Sequence, residues 1–86
     1  MDEERYIAIF ASYNQTSLIY NVLKEKGIIV EIIATPSRIS VGCSRAIRFK
    51  PEDLRIIEIE IKKNALKCKG IFAPIKYKNI LTYVVI

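Results

Sequence analysis

The sequence predicts an α+β domain of the ferredoxin-like class, in which two helices cover one face of an antiparallel sheet. Apolar runs follow one another in the order β-α-β-β-α-β, turn-forming residues separate them, and 86 residues suffice for one domain only. Hydrophobic residues make up 51% of the chain, which excludes a disordered protein. We therefore expect a single domain over residues 1–86, with a core over 1–75 and a C-terminal extension over 76–86.

A strand over residues 6–11 begins the predicted fold. Ile7 and Ile9 share one of its faces, and strand alternation places three more apolar residues on the other face. These three are Tyr6, Ala8 and Phe10. A strand that is apolar on both faces is typically covered on both sides, so we expect this one in the middle of the sheet.

The first helix has a signal at each end. Ser12 is expected to be its N-cap, and Gln15, three residues later, completes a capping-box pattern. Gly27 is expected to end the helix, because glycine readily adopts the left-handed conformation of a helix stop. Residues at helical spacing between these ends form one apolar stripe, which consists of Leu18, Ile19, Val22 and Leu23.

Further strands are predicted from runs rich in β-branched residues. They cover residues 28–33, 45–49 and 70–75, and the last contains Pro74, which favours an edge position because proline has no N–H to donate. The tail over 76–86 ends in a strongly strand-forming run. It is expected either to add a fifth strand or to pair with a second copy of the chain.

A second helix is predicted to start at Pro51, which two acidic residues follow. Isoleucine and glutamate alternate over residues 57–61, which also fits a strand, but the start signal and the length favour a helix. On such a helix, Ile56 and Ile59 point away from the core. The expected buried residues are Leu54, Ile57, Ile61 and Ala65.

Composition and charge narrow the classes of function. The net charge is +5 and no acid follows Glu60, so the surface is suited to attract nucleic acid or acidic partners. The N-terminus carries acids where a signal peptide is basic, and no apolar run approaches the roughly 20 residues of a membrane span, so we expect a cytoplasmic protein without a membrane partner. The chain has two cysteines and no histidine, which excludes Cys–His nucleophile pairs and a four-ligand zinc site of cysteines and histidines within one chain. Neither metal nor cofactor is predicted.

The stretch from Thr35 to Phe49 carries the candidate functional residues. It holds turn formers, Cys43 and three arginines, and no carboxylate occurs between Glu31 and Glu52. Nearby cations stabilise a thiolate, so Cys43 is predicted to ionise readily and to be the functional atom donor. The side chains expected to stabilise the thiolate or a bound anion are Arg38, Arg45, Arg48, Ser40 and Ser44.

The predicted topology places the Cys43 loop at the end of the sheet where the first helix begins. The free N–H groups of that helix start, around Ser12 and Asn14, are therefore expected near the thiolate. Arg45 and Arg48 face opposite ways on a regular strand, so at most one of them helps from the side of the loop. Cys68 is expected at the same end, either as a resolving thiol, which requires Cα atoms within about 7 Å, or as an ordinary loop or core cysteine.

Aromatic residues on the predicted strands raise a separate alternative. In RNA-recognition sheets, aromatic side chains on the open face stack on bases. The glycine-aromatic signature of those domains is absent here, so the rings are expected in the core or in a contact between two sheets. The rings concerned are Tyr6, Phe10 and Phe49.

One sequence motif resembles a known family. The motif is S-x-x-C followed by A-x-R-F, here Ser40, Cys43, Ala46, Arg48 and Phe49. It is similar to that of the small selenium/sulfur (Se/S) carrier protein-like family, and the similarity extends over roughly residues 6–72. The resemblance implies a short domain in which a Cys-Gly loop carries the chalcogen. Ser44 stands where the family tends to have glycine, and Ser37 stands where it tends to have arginine.

The resemblance and the local charge together predict a sulfur or selenium carrier. Cys43 would form a persulfide or a selenenyl sulfide and pass the atom on, with partner proteins as donor and acceptor and without turnover of its own. Two alternatives remain open. One is a small RNA- or nucleotide-binding module that uses the basic surface, and the other is an interaction domain that forms a homodimer through the sheet face or the tail.

Overall fold

The structure of the protein, a computed structural model, describes residues 5–39 and 45–86. These residues form two α-helices and five strands. They are β1 (Tyr6–Phe10), α1 (Tyr13–Glu25), β2 (Val30–Ala34), β3 (Arg45–Phe49), α2 (Leu54–Lys63), β4 (Cys68–Tyr77) and β5 (Ile80–Val85). The five strands form one antiparallel sheet in the order β2-β3-β1-β4-β5, so the predicted α+β class and the central position of β1 are confirmed.

Two apolar clusters lie on opposite faces of the sheet. The first lies between the sheet and both helices; its fully buried members include Ala8, Phe10, Ile19, Leu23, Ile47, Phe49 and Ile57. The second lies on the face that no helix of the described residues covers, called the helix-free face, and consists of Ile7, Ile9, Ile39, Ala46 and Phe72. Both faces of β1 are therefore buried, as the apolar character of its two faces predicts.

Helix α1 begins at the predicted N-cap. Ser12 Oγ accepts a hydrogen bond from the Gln15 N–H at 3.4 Å, and Ser12 O accepts one from the Thr16 N–H at 3.1 Å. The other half of the predicted capping box is absent among the described contacts of Gln15. Its side-chain oxygen instead accepts from the Lys67 N–H at 2.8 Å, so Gln15 joins the start of α1 to the entry of β4.

The buried face of α1 differs from the predicted stripe. Leu18 is 41% exposed, and Thr16 is buried in its place, with its hydroxyl donating to Ser12 O. The helix ends at Gly27 as predicted, with φ at +79°, where the Gly27 and Ile28 N–H groups donate to the carbonyls of Lys24 and Leu23.

Helix α2 follows a short 3₁₀ turn, Pro51–Asp53, so the predicted helix is confirmed over the alternative of a strand. Ile57 is buried and Ile59 is exposed, as expected, but Ile56 packs partly against the first cluster. The prediction for Ala65 was wrong, because the helix has ended and this residue lies exposed with φ at +52°.

A buried carboxylate on α2 was not anticipated. Glu60 is only 4% exposed and lies one turn beyond Ile57 on the inner face of the helix. Its carboxylate lies 3.4 Å from the Lys26 ammonium and accepts a hydrogen bond from the Asn64 amide at 3.3 Å. The ion pair joins the C-terminal end of α1 to α2 and compensates the charge that Glu60 brings into the interior.

The C-terminal residues pair within the chain. β4 and β5 form a hairpin across Lys78 and Asn79, both with positive φ, as a two-residue type I′ turn requires. The edge position predicted for β4 from Pro74 was wrong, because β4 lies between β1 and β5. β1 pairs with β4 only as far as Phe72, so the missing N–H of Pro74 falls where its strand has a partner on the β5 side alone.

Neither helix in the part of the chain that the structure describes has the length and apolar character needed to span a membrane.

Candidate functional site

The end of the sheet where β1 stops, called the loop end here, brings four separate chain segments together. Phe10 pairs with Cys68, the first residue of β4, and α1 begins directly after β1. Ala34, the last residue of β2, pairs with Arg45, the first residue of β3. The β1–β3 register, with Ala8 beside Ile47, brings Arg45 level with Phe10. The topology therefore places the start of α1 and Cys68 at one end, as expected.

The segment that carries the predicted thiol lies outside the described residues. It comprises Ser40, Cys43 and Ser44 among residues 40–44, so the roles assigned to them stay predictions. The residues on either side of it are described. Ile39 is buried in the cluster on the helix-free face, and its N–H donates to Pro36 O at 2.9 Å. Arg45 begins β3 at the loop end.

The three arginines lie in different surroundings. Arg38 is exposed in a turn before Ile39. Arg45 shares the helix side of β3 with Ile47, whereas Arg48 shares the helix-free side with Ala46, so the opposite orientation of the two arginines is confirmed. Of the three, Arg45 directly follows the segment 40–44, on the helix side of the sheet.

Arg48 makes an ion pair across the sheet. Its guanidinium lies 2.6 Å from the Glu31 carboxylate, and its Nε donates to the same oxygen at 2.7 Å. Glu31 is directly opposite Arg48 in the β2–β3 register. The pair is close to half exposed, and it offsets much of the positive potential that Arg48 would otherwise supply. The sequence held the signal, an acid and a base on neighbouring strands, but the pairing follows only from the register.

The start of α1 supplies oriented N–H groups at the loop end. The Ser12 hydroxyl already accepts from Gln15, so its side chain serves the helix. Tyr13 and Asn14 precede Thr16, the first residue whose N–H donates within the helix, so their N–H groups have no intrahelical acceptor. The first turn contains no acidic side chain, which leaves its positive dipole end available to an anion.

Cys68 is a half-buried thiol on the helix side of the sheet. Its Sγ lies 3.6 Å from Gly70 O, and it packs against the first cluster. Burial raises the pKa of the Cys68 thiol above its ordinary value of 9.0, and the negative charge of Glu58 acts in the same direction. At neutral pH this thiol is protonated, which makes Cys68 a weak nucleophile.

A groove of about 680 Å³ runs beside Cys68, between α2 and β4. Its apolar wall is formed by Ile59, Ile61 and Ile71, and Arg55, Glu58 and Lys62 stand along it. Charges of both signs therefore line the groove, which gives it no strong preference for an anion.

The three candidate aromatic residues, Tyr6, Phe10 and Phe49, lie in the core or pack against it, as expected from the sequence. Phe10 and Phe49 are fully buried beneath the helices, and Tyr6 packs edge-to-face on Phe49 with ring centroids 5.9 Å apart. The helix-free face presents Ile7, Ile9 and Phe72 instead. Base stacking on Tyr6, Phe10 and Phe49 at an open sheet face is thereby excluded for this fold.

The described fold is a small α+β domain. The start of α1 and Arg45, the first residue of β3, both lie at its loop end, and the segment bearing Cys43 directly precedes Arg45. The sequence profile of the family described as Putative Se/S carrier protein-like matches residues 5–73, and the chain belongs to this family. The match confirms the resemblance drawn from the S-x-x-C and A-x-R-F residues, and it ends inside β4. No curated protein and no solved structure matches the chain.

Proposed function

We propose that the chain is a carrier module in sulfur or selenium handling and that Cys43 is the thiol that accepts the chalcogen. Membership of the Se/S carrier protein-like family, through a match that spans Cys43, carries the proposal. We further infer that the first four strands and the two helices form a ferredoxin-like arrangement, which the β-α-β-β-α-β order of these elements supports.

The chemistry is an exchange between two sulfur atoms. The Cys43 thiolate attacks the outer sulfur of a donor persulfide, a new S–S bond forms, and the donor leaves as a thiolate. An acceptor thiolate then attacks the outer sulfur of the Cys43 persulfide, and Cys43 returns as a thiolate. With selenium as the outer atom, the intermediate is a selenenyl sulfide. Neither step changes the overall oxidation state, so the chain needs partner proteins but no cofactor.

The surroundings of the loop end support Cys43 over Cys68 as the carrier. Cys43 is two residues from Arg45 in the sequence, and two residues of chain span at most about 7 Å. The N–H groups at the start of α1 lie at the same end and favour an anion. Arg38, Ser40 and Ser44 add donors close in sequence. Cys68, by contrast, is held protonated by burial.

The proposal requires a compartment in which both thiols stay reduced between transfers, and we place the protein in the cytoplasm for this reason. There the donor and the acceptor would be proteins that hold a persulfide or a selenium atom.

The test measures which cysteine takes up the atom. Wild type, Cys43→Ser and Cys68→Ser are each incubated with glutathione persulfide and analysed by intact-protein mass spectrometry. We expect wild type and Cys68→Ser to gain the mass of one sulfur, which a reductant then removes, and Cys43→Ser to remain unmodified. Equal uptake by Cys43→Ser would refute the assignment of Cys43, and no uptake by Cys68→Ser would refute the carrier function.

A matched pair of arginine variants tests the electrostatic part. Arg45→Gln removes the charge that directly follows the segment 40–44, whereas Arg48→Gln removes a charge three residues further along β3, on the opposite face of the sheet. We expect alkylation of Cys43 near neutral pH to slow several-fold in Arg45→Gln and to change little in Arg48→Gln, because a nearby cation favours the thiolate. Equal rates in the two variants would remove Arg45 from the site.

A further inference from the structure

β5 is one of the two edge strands of the described sheet, and it lacks the features that usually protect such an edge. It contains no charged side chain, no proline and no bulge. Its apolar side chains reach solvent: Val85 is 70% exposed, and Ile80 and Leu81 are each about half exposed. An exposed apolar edge of this kind is a template for pairing with another strand.

The hairpin register fixes which backbone groups of β5 face outward. The Ile86 N–H donates to Ile71 O, back towards β4. Because hydrogen-bonded residues alternate along an antiparallel pair, the N–H and C=O groups of Thr82 and Val84 also face β4. The groups of Leu81, Tyr83 and Val85 therefore face away from the sheet.

We propose that β5 pairs with β5 of a second copy of this chain, antiparallel and across a two-fold axis at Tyr83. In this register Tyr83 faces Tyr83 of the second copy, and Leu81 and Val85 face each other across the axis. Every outward N–H and C=O of the three residues then finds an acceptor or a donor. A register centred one residue closer to the turn would place Val85 opposite Asn79, which belongs to the turn, and would leave the outward groups of Val85 unpaired.

The side chains agree with this register. On the helix-free face the contacts across the axis are tyrosine on tyrosine and Leu81 on Val85. On the helix side they are Ile80 on Ile86 and Thr82 on Val84, which follows from the same alternation. No two like charges meet, because no residue from Asn79 to Ile86 has a charged side chain. The surface is thus complementary to itself, as an isologous two-fold contact requires.

The proposal goes beyond the carrier function and stands apart from it, because the hairpin extends past residue 73, where the family match ends. A dimer with an inert Cys43 and a monomeric carrier are both distinguishable outcomes of the two sets of experiments.

The first experiment uses the wild-type chain. Light scattering over a range of concentrations is expected to give a mass that rises from 9.9 kDa to twice that value and stops there. Amide hydrogen exchange, followed residue by residue, should show Leu81, Tyr83 and Val85 protected in the dimer and open in the monomer, whereas Thr82 and Val84 are protected in both. A chain that stays monomeric, a mass that grows past the dimer, or a dimer with open Tyr83 and Val85 amides overturns the proposal.

The second experiment tests the register with two variants that each introduce two charged side chains. Leu81→Lys with Val85→Lys places like charges opposite each other twice across the axis, and Leu81→Lys with Val85→Glu places opposite charges there. Within one chain, residues 81 and 85 are four positions of strand apart, roughly 13 Å, so the two introduced charges interact only weakly in either monomer. We expect only the lysine–glutamate variant to dimerise, with circular dichroism showing that both variants fold. Identical masses for the two folded variants overturn the register.

Discussion

Gly70→Ala tests whether the backbone near the start of β4 requires a residue without a side chain at position 70. Gly70 has φ at +155°, a conformation that residues with a side chain rarely adopt. It lies opposite Ile9, beside an irregularity in the β1–β4 pairing. A Cβ placed on Gly70 would lie 2.9 Å from Cε1 and 3.0 Å from Cζ of Phe72, inside van der Waals contact. Phe72 is buried against Ile7 and Ile9 on the helix-free face, so its ring has little room to move.

Two costs add in this variant. Holding an alanine at this φ costs about 1–3 kcal/mol. The crowding against the Phe72 ring is an overpacking of the core, which costs about another 1–3 kcal/mol. We therefore expect the free energy of unfolding to fall by roughly 2–6 kcal/mol, a large part of the margin of a domain of this size.

A double-mutant cycle separates the two costs. Phe72→Leu removes the ring atoms that the new methyl group meets, so Gly70→Ala should cost about 1–3 kcal/mol less in the Phe72→Leu background. Urea unfolding at one fixed protein concentration, followed by circular dichroism, measures all four chains. A cost of Gly70→Ala below about 0.5 kcal/mol would refute the whole argument. An equal cost in both backgrounds would refute the role of the ring.

Two further predictions concern Cys68 and Gln15. Because the folded protein raises the pKa of Cys68, it favours the protonated thiol, and this contribution to stability is fully present at pH values below the ordinary pKa of 9.0. The contribution is lost as the pH rises through the folded-state pKa. The stability of wild type relative to Cys68→Ser should therefore decline in urea unfolding above pH 9.0, and a constant difference would contradict the burial of the thiol. Gln15→Ala removes the acceptor of the Lys67 N–H and should cost about 1 kcal/mol in the same assay. Gln15→Glu keeps an acceptor and should cost less, so equal losses would show that this hydrogen bond contributes nothing.

Local signals predicted the boundaries of α1 well. Ser12 and Gly27 act through contacts within one helical turn, so the sequence contains all the information that fixes them. The face that α1 buries was predicted less well. Periodicity gives the spacing of a stripe, but the packing of α1 on the sheet determines its position, and Thr16 is buried where Leu18 was expected.

Contacts between distant residues explain most of the remaining differences. Gln15 meets Lys67 across 52 positions of sequence, and nothing near either residue indicates the partner. The Arg48–Glu31 pair likewise depends on the β2–β3 register. Pro74 was interpreted as an edge signal because proline lacks an N–H, but β1 begins only at Tyr6 and its pairing with β4 reaches only Phe72, so no residue of β1 requires that N–H.

The candidate site divides in the same way. The sequence and the topology correctly predicted which end of the sheet gathers the start of α1 and Cys68, because chain direction alone decides this in an antiparallel fold. They could not predict that Arg48 forms an ion pair with Glu31, or that burial keeps the Cys68 thiol protonated. The role of Cys43 itself rests on the family and on its place in the chain.

The hairpin has a practical consequence for work with shortened versions of this protein. A clone trimmed to the family boundary at residue 73 would stop in the middle of β4 and remove Tyr83, which packs against the second cluster. The backbone N–H and C=O groups of β4 that now bond to β5 would become an exposed edge of the sheet. Such a clone would be prone to precipitate, so a failed preparation of it would say nothing about the chemistry of the thiol.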